Sequence, residues 1–169
     1  IIKVYEPNDI PQKNLDSILF FTGANSLIPG DIYTCFISSL VDLKYSVSVL
    51  PNDMQASYEY IKDIQANYSS ITPLAHSSGC INAINLFNNF DKITNSIFLD
   101  PVDNSKFYNL FNDITKEKLN YLNNLLIITA EKSYQWSLAP ICFPFIPAFR
   151  LDVKKLLNLK SDLNIKYIE

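Results

Sequence analysis

Apolar and polar residues along this chain fall into blocks whose period switches between that of a strand and that of a helix. Ile1 to Tyr5 is a short apolar run of edge-strand character. Glu6 to Asp16 carries Pro7, Asn8, Asp9 and Pro11 and reads as a loop. Ser17 to Thr22 is a continuous apolar run, as in a strand buried on both faces, and it ends in a sharp turn at Thr22-Gly23-Ala24-Asn25. Ile32 to Leu43 sets Ile32, Cys35, Phe36, Leu40 and Leu43 at near-helical spacing. Tyr45 to Leu50 is a second strand, stopped by Pro51-Asn52-Asp53, and Met54 to Tyr68 reads as a helix. Ser70 to Ala75 is a strand, although Pro73 lacks the N–H that a central strand uses. Gly79 to Phe90 predicts a helix with Cys80, Ile81, Ile84 and Phe87 facing inward. Thr94 to Leu99 is a strand ending in Asp100-Pro101-Val102-Asp103. Lys106 to Leu122 is polar and helical in part, and Leu125 to Thr129 is another buried strand. Tyr134 to Phe149 is aromatic, with Pro140, Pro144 and Pro147, and predicts an ordered loop over an active-site face or a core edge. A short helix, Leu151 to Leu159, and a last strand, Asn164 to Ile168, follow.

Strands alternating with helices predict an α/β fold built on a mainly parallel sheet, with helices on both faces and right-handed crossovers. One domain spanning residues 1–169 accommodates the length. Ligands of such sheets bind at the carboxyl ends of the strands. Ala24, Ser77 and Asp100 all fall just past predicted strand ends, on one edge of one sheet.

Composition narrows the function. Hydrophobic residues make up 48% of the chain and aromatics 13%, enough for a real core. A net charge of -3 supplies no electrostatic footprint for nucleic acid. No block of Lys and Arg suggests a membrane surface, and no apolar run is long enough to span a bilayer. No secretory signal is visible, but the chain begins at Ile1, so a removed leader stays open and the compartment is undetermined. Cys35, Cys80 and Cys142 are odd in number and widely spaced, neither a disulfide framework nor a zinc pattern. Three glycines in all leave no phosphate-cradling loop, and no cluster of side chains has metal-ligand spacing. No cofactor is expected.

The stretch with chemical content is Leu74-Ala75-His76-Ser77-Ser78-Gly79-Cys80. Small-x-Ser-x-Gly between a strand and a helix reads as a nucleophile elbow. Its tight turn holds the Ser clear of the sheet, and the small flanking residues avoid clashes. Ser77 is then the candidate nucleophile. The Ser78 N–H points to where a tetrahedral oxyanion would form, joined by an N–H from the turn at Gly23-Ala24. Ala75 stands where the elbow usually has its first Gly. The plainer alternative is that Ser77 and Ser78 cap the following helix. Asp100 is the candidate acid of a triad, or else a turn cap before Pro101. Asp103 and Glu131 are rival acids.

In these segments and their order the chain resembles the α/β-hydrolase fold, and within it the chlorophyllase-like esterases. Ile18 to Phe21 followed by Thr22-Gly23-Ala24 sits where that family has a strand and then His-Gly-x. Ala75-His76-Ser77-Ser78-Gly79 matches its Gly-His-Ser-x-Gly, and Asp100-Pro101-Val102 its Asp-Pro-Val segment, whose Asp is the triad acid. Ala139-Pro140-Ile141-Cys142-Phe143-Pro144 is similar to its Pro-Pro-Cys-Ala-Pro segment. The resemblance spans roughly residues 15 to 169. It implies a three-layer sandwich, catalysis by Ser77 and Asp100, an oxyanion hole of Ala24 and Ser78, no cofactor, and a small, hydrophobic ester as substrate. Thr22 departs from the family's His but leaves the backbone donors in place.

The general base is the larger departure. The only histidine is His76, beside the nucleophile, whereas the family brings its base from a loop after the last strand. His76 is therefore expected to be a structural residue, and the base to follow Glu169 in a longer chain. Cys142 is expected to pack rather than act as a nucleophile. Trp136, Phe143, Phe145 and Phe149 either line an acyl or alcohol pocket or anchor their loop. Two functions follow: a serine hydrolase that cleaves carboxylic esters through an acyl-enzyme, or a catalytically inactive hydrolase-fold protein with a structural or binding role.

Overall fold

The computed structural model describes residues 1–23, 28–51, 53–87, 89–102, 115–129 and 153–168. Their centre is a seven-stranded sheet of β1 (Lys3–Tyr5), β2 (Asp16–Phe21), β3 (Tyr45–Leu50), β4 (Ser70–His76), β5 (Asn95–Leu99), β6 (Asn124–Ile128) and β7 (Asn164–Ile168). The strands lie in the order β1-β3-β2-β4-β5-β6-β7. Only β1 is antiparallel, at the edge against β3, with Val4 opposite Ser48; every other pairing is parallel. β2 and β4 are central, and their side chains alternate between two cores. Ile18 and Phe20 face one side with Ile37, Val47, Val49 and Leu74. Leu19 and Phe21 face the other with Leu50, Ile61, Ile84 and Phe98. That alternation is why the strand reads as continuously apolar: both faces are covered.

Helix α1 (Thr34–Asp42) covers the first face. The opposite face is covered by α2 (Met54–Ile64), α3 (Gly79–Phe87) and α4 (Val153–Leu159). The result is the three-layer α/β arrangement expected from the alternation. Phe87 of α3 stacks on Phe98 of β5 with ring centroids 6.2 Å apart, and both are fully buried. Side chains of this size each contribute about 1.5–3 kcal/mol on burial. The inward residues expected of α3, Cys80, Ile81, Ile84 and Phe87, are all buried.

The structure departs from the sequence pattern in a few places. The first turn of the Ile32–Leu43 segment is a 3-10 turn, Gly30–Tyr33, and α1 begins only at Thr34. Its buried anchor is Ile37, while Ile32 and Leu43 are 72% and 69% exposed. The apolar residues at helical spacing therefore do not all mark the buried face. α2 starts on an Asp53 cap, whose carboxylate accepts the Ala56 N–H at 3.0 Å, and stops at Ile64, short of Tyr68. Pro73 is tolerated because the β4–β5 ladder begins only at Leu74, while Ser96 Oγ donates to the Pro73 carbonyl at 3.0 Å. The Tyr134–Phe149 loop, with Trp136, Cys142, Phe143, Phe145 and Phe149, lies outside the described residues, as does most of Lys106–Leu122. Among the described residues no helix is long and apolar enough to cross a membrane.

Candidate active site

β4 ends at His76, and α3 begins at Gly79, so two residues, Ser77 and Ser78, make the whole reversal. Ser77 has φ of 54°, the left-handed region that a residue with a Cβ avoids. Such a conformation costs about 1–3 kcal/mol and persists only where the surroundings enforce it. Here the enforcement is visible. The Ser77 N–H donates to the Leu99 carbonyl at 2.9 Å, continuing the β4–β5 ladder by one residue. The Ser77 carbonyl accepts from Val102 N–H at 3.2 Å and from Cys80 N–H at 3.3 Å. The turn is thus pinned to the neighbouring strand end on one side and to the first turn of α3 on the other.

Gly79 explains why the pattern needs glycine after the serine. A Cβ there would stand 2.4 Å from the Thr22 carbonyl oxygen and 2.7 Å from that of Phe21. The helix start presses directly on the end of β2, and both obstacles are backbone. Ala75, in place of the usual first Gly, is fully buried and paired between Phe21 and Phe98, so its methyl group is accommodated. Cys80 lies behind the turn with its thiol against the Ala75 carbonyl, and burial pushes that thiol's pKa up.

Asp100 ends the adjacent strand. Its N–H donates to the Ile128 carbonyl at 2.8 Å, and its φ is 43°, a left-handed position that aspartate tolerates better than most. Ser77 and Asp100 therefore stand past the carboxyl ends of neighbouring parallel strands, and Thr129, past β6, donates its N–H to Ile168 at the same edge. The Asp100 charge acts on both His76 and Cys80. Ser78 is buried at the entry to α3. Ala24 and the rival acids Asp103 and Glu131 lie outside the described residues.

His76 is packed rather than presented to solvent. Its Nδ1 is 2.9 Å from the Tyr33 hydroxyl, and the two rings meet edge to face at 5.7 Å. Burial lowers its pKa below the ordinary histidine value, with Asp100 pulling the other way. Tyr33 also accepts the Gly23 N–H at 3.2 Å, at the turn that follows β2. Nothing in the sequence singles out Tyr33, which lies 43 residues from His76. Thr22, where the resemblance expects His, donates to the Ile28 carbonyl at 2.7 Å, and Ile28 N–H donates to Gly23 at 3.3 Å. These two bonds tie Thr22 and Gly23 to Ile28.

No protein-family model matches the sequence, and no curated protein matches it significantly. Solved structures do. Est1E from Butyrivibrio proteoclasticus superposes with a TM-score of 0.64 at 10% identity, over 99% of this chain and 82% of that one. FphF of Staphylococcus aureus, a fluorophosphonate-binding serine hydrolase, gives 0.58 at 16% identity, over 98% and 83%. Brefeldin A esterase, a bacterial homologue of human hormone-sensitive lipase, gives 0.64 at 11% identity, over 99% and 63%. Identities this low speak for architecture alone, and on that level the chain has the α/β-hydrolase fold: a mainly parallel sheet, helices on both faces, and Ser77 at the turn from strand to helix.

Proposed function

We propose that this protein is a serine hydrolase that cleaves carboxylic esters through an acyl-enzyme on Ser77. The observation that carries the reading is the left-handed Ser77 at the tip of β4, its N–H donating to Leu99 and its carbonyl accepting from Cys80 and Val102. A strained serine at a strand-to-helix turn is costly to maintain and is useful where an oxygen must stand clear of the sheet. In this reading Ser77 Oγ attacks the ester carbonyl, and the alcohol leaves once it is protonated. Water then attacks the acyl-enzyme and regenerates the serine. The N–H groups of Ser78 and Ala24 stabilise the oxyanion of each tetrahedral intermediate. Asp100 orients the base and supports its positive charge.

In this reading His76, whose Nδ1 lies 2.9 Å from the Tyr33 hydroxyl, is a structural residue, and the base is a group not found among the described residues. The parallel pairing of β7 with β6 brings its carboxyl end to the Ser77 edge. A histidine following β7 would enter there. The finer reading is a chlorophyllase-like preference for an ester of a bulky hydrophobic alcohol. It is supported by the Asp100-Pro101-Val102 and Pro140-Ile141-Cys142-Phe143-Pro144 segments. The engagement of the sole histidine favours a second reading, a hydrolase-fold binding module without turnover.

The test is labelling with a fluorophosphonate probe and hydrolysis of a p-nitrophenyl ester. It compares residues 1–169 with any longer form that the gene is found to encode past Glu169. The extended chain is expected to react at Ser77, and residues 1–169 alone to react weakly, since a serine without its base is a poor nucleophile. Ser77→Ala should abolish both signals, a loss of about 10⁶ in turnover where a triad operates. Absence of labelling in every form would leave the binding-module reading.

A further inference from the structure

Three groups from distant parts of the chain meet beside the elbow: the Gly23 backbone, the Tyr33 phenol and the His76 ring. We propose that Tyr33 is a positioning residue that sets the Gly23 backbone against the strand end that carries the nucleophile, by bonding Gly23 N–H and His76 Nδ1 with one hydroxyl. The inference rests on the hydrolase reading, in which the turn after Gly23 supplies an oxyanion donor and His76 immediately precedes Ser77.

The donors and acceptors favour one arrangement, which the proposal adopts. Gly23 N–H can only donate, so the Tyr33 oxygen accepts from it at 3.2 Å. The phenol's own hydrogen is then available for His76 Nδ1 at 2.9 Å, and in the proposed arrangement that nitrogen is the unprotonated one. His76 is accordingly neutral, with its proton on Nε2. Burial of the ring favours the neutral form, and Asp100, the charged group that acts on it, opposes that preference. The Tyr33 ring is itself held: it packs edge to face on buried Phe20 with centroids 4.9 Å apart, at 86°. Gly23 fits this bridge closely. A Cβ at that position would lie 2.9 Å from His76 Nδ1 and 3.3 Å from the Tyr33 oxygen. Beyond the last β2–β4 pair, Phe21 with Ala75, one phenol on a third element, the 3-10 turn Gly30–Tyr33, thus bridges Gly23 and His76. An oxyanion donor is useful only at hydrogen-bond distance from where the charge develops, so the spacing of these two turns bears directly on rate.

The experiment uses the extended chain and reads the fluorophosphonate labelling rate at Ser77 together with the side-chain ¹⁵N shifts of His76. Tyr33→Phe keeps the ring and removes both bonds. Labelling should slow by about ten- to hundredfold, the cost of displacing a positioned group by a fraction of an ångström to 1 Å. His76→Leu should match it, and the double variant should be no slower than either single one, because all three break the same bridge. His76→Asn, which retains a polar atom near the place of Nδ1, should recover most of the rate lost in His76→Leu. The ¹⁵N shifts should report the Nε2–H form in the unaltered protein and a changed tautomer balance in Tyr33→Phe. Labelling of Tyr33→Phe at the unaltered rate, or a proton resident on His76 Nδ1, would overturn the inference and leave the hydrolase reading standing. An unaltered chain that does not label at Ser77 overturns that reading and this inference with it.

Discussion

The two edges of the parallel sheet differ in how their turns are shaped. At the amino edge the strands are laced together by side chains. Asn164 donates to Asn124 at 3.0 Å, and Asn124 to Asn95 at 2.8 Å, a ladder across the starts of three strands in register. Ser70 donates to Asp16 at 2.7 Å across the starts of β4 and β2. The Lys160 ammonium gathers the carbonyls of Leu119, Asn120 and Leu122. Tyr68 donates to Glu6 at 2.6 Å, with Ser46 3.2 Å from the phenol. At the carboxyl edge Ser77 and Asp100 are tied by backbone bonds to the neighbouring strand ends, and both residues are left-handed. Left-handed residues also occur near the amino edge, at Asp9 and Lys44, but there they are exposed and serve turns; Lys44 closes the end of α1, its N–H donating to Val41 at 2.9 Å. The lesson is one of placement. A positive φ in an exposed helix cap is a routine way to stop a helix. The same conformation half-buried at two adjacent strand ends points to a site.

The sharpest break in that comparison is Asp100→Asn. If Asp100 orients a catalytic base, turnover should fall by about 10⁴ while the fold persists by circular dichroism. A small effect would move the acid's role to Glu131 or Asp103. Next in size is Gly79→Ala. A methyl group 2.4 Å from the Thr22 carbonyl cannot be relieved by side-chain rotation. Urea unfolding should show a loss of about 3 kcal/mol, the upper part of the overpacking range.

The two edges should also respond to opposite ends of the pH scale. His76 has a folded pKa below its ordinary 6.5. Its neutral packing therefore contributes stability that is present above about pH 6.5 and lost as pH falls through the folded value. The Tyr68 phenol is pushed up to about 12 by burial and by its bond to Glu6. That contribution is present below about pH 10 and lost as pH rises toward 12. Denaturation midpoints across pH should fall at both ends, with His76→Asn flattening the acid limb and Tyr68→Phe the alkaline one. The smallest effect belongs to Lys44→Gly. Relieving a left-handed lysine should raise stability by about 1 kcal/mol in urea and leave reactivity at Ser77 unchanged.

Much of this molecule is written in local pattern. The strands Tyr45–Leu50 and Asn164–Ile168 have the bounds expected from their residues, because a run of β-formers between turn residues carries its own limits. The serine turn is legible as a spacing, small-x-Ser-x-Gly within a few residues, although the carbonyls that require Gly79 belong to Phe21 and Thr22 at the end of β2. The parallel sheet follows from strand–helix alternation, since parallel neighbours need a long crossover. Other features depend on which distant segments meet, and no window of sequence contains them. Ile37 rather than Ile32 or Leu43 anchors α1, because the face a helix buries is chosen by the strand surface beneath it. Pro73 is harmless only because β5 begins to pair one residue later. The asparagine ladder requires the register of β5, β6 and β7 to align three amides that look unrelated along the chain. Tyr33 reaches His76 and Gly23 only after β2 and β4 have paired and the chain has folded back over the face that α1 covers. Hydrophobic periodicity and turn chemistry act over a few residues, and so the sequence alone determined the strands, the sheet class and the serine turn. Hydrogen bonds and packing act through space, and so the tertiary structure alone decided what stands beside Ser77.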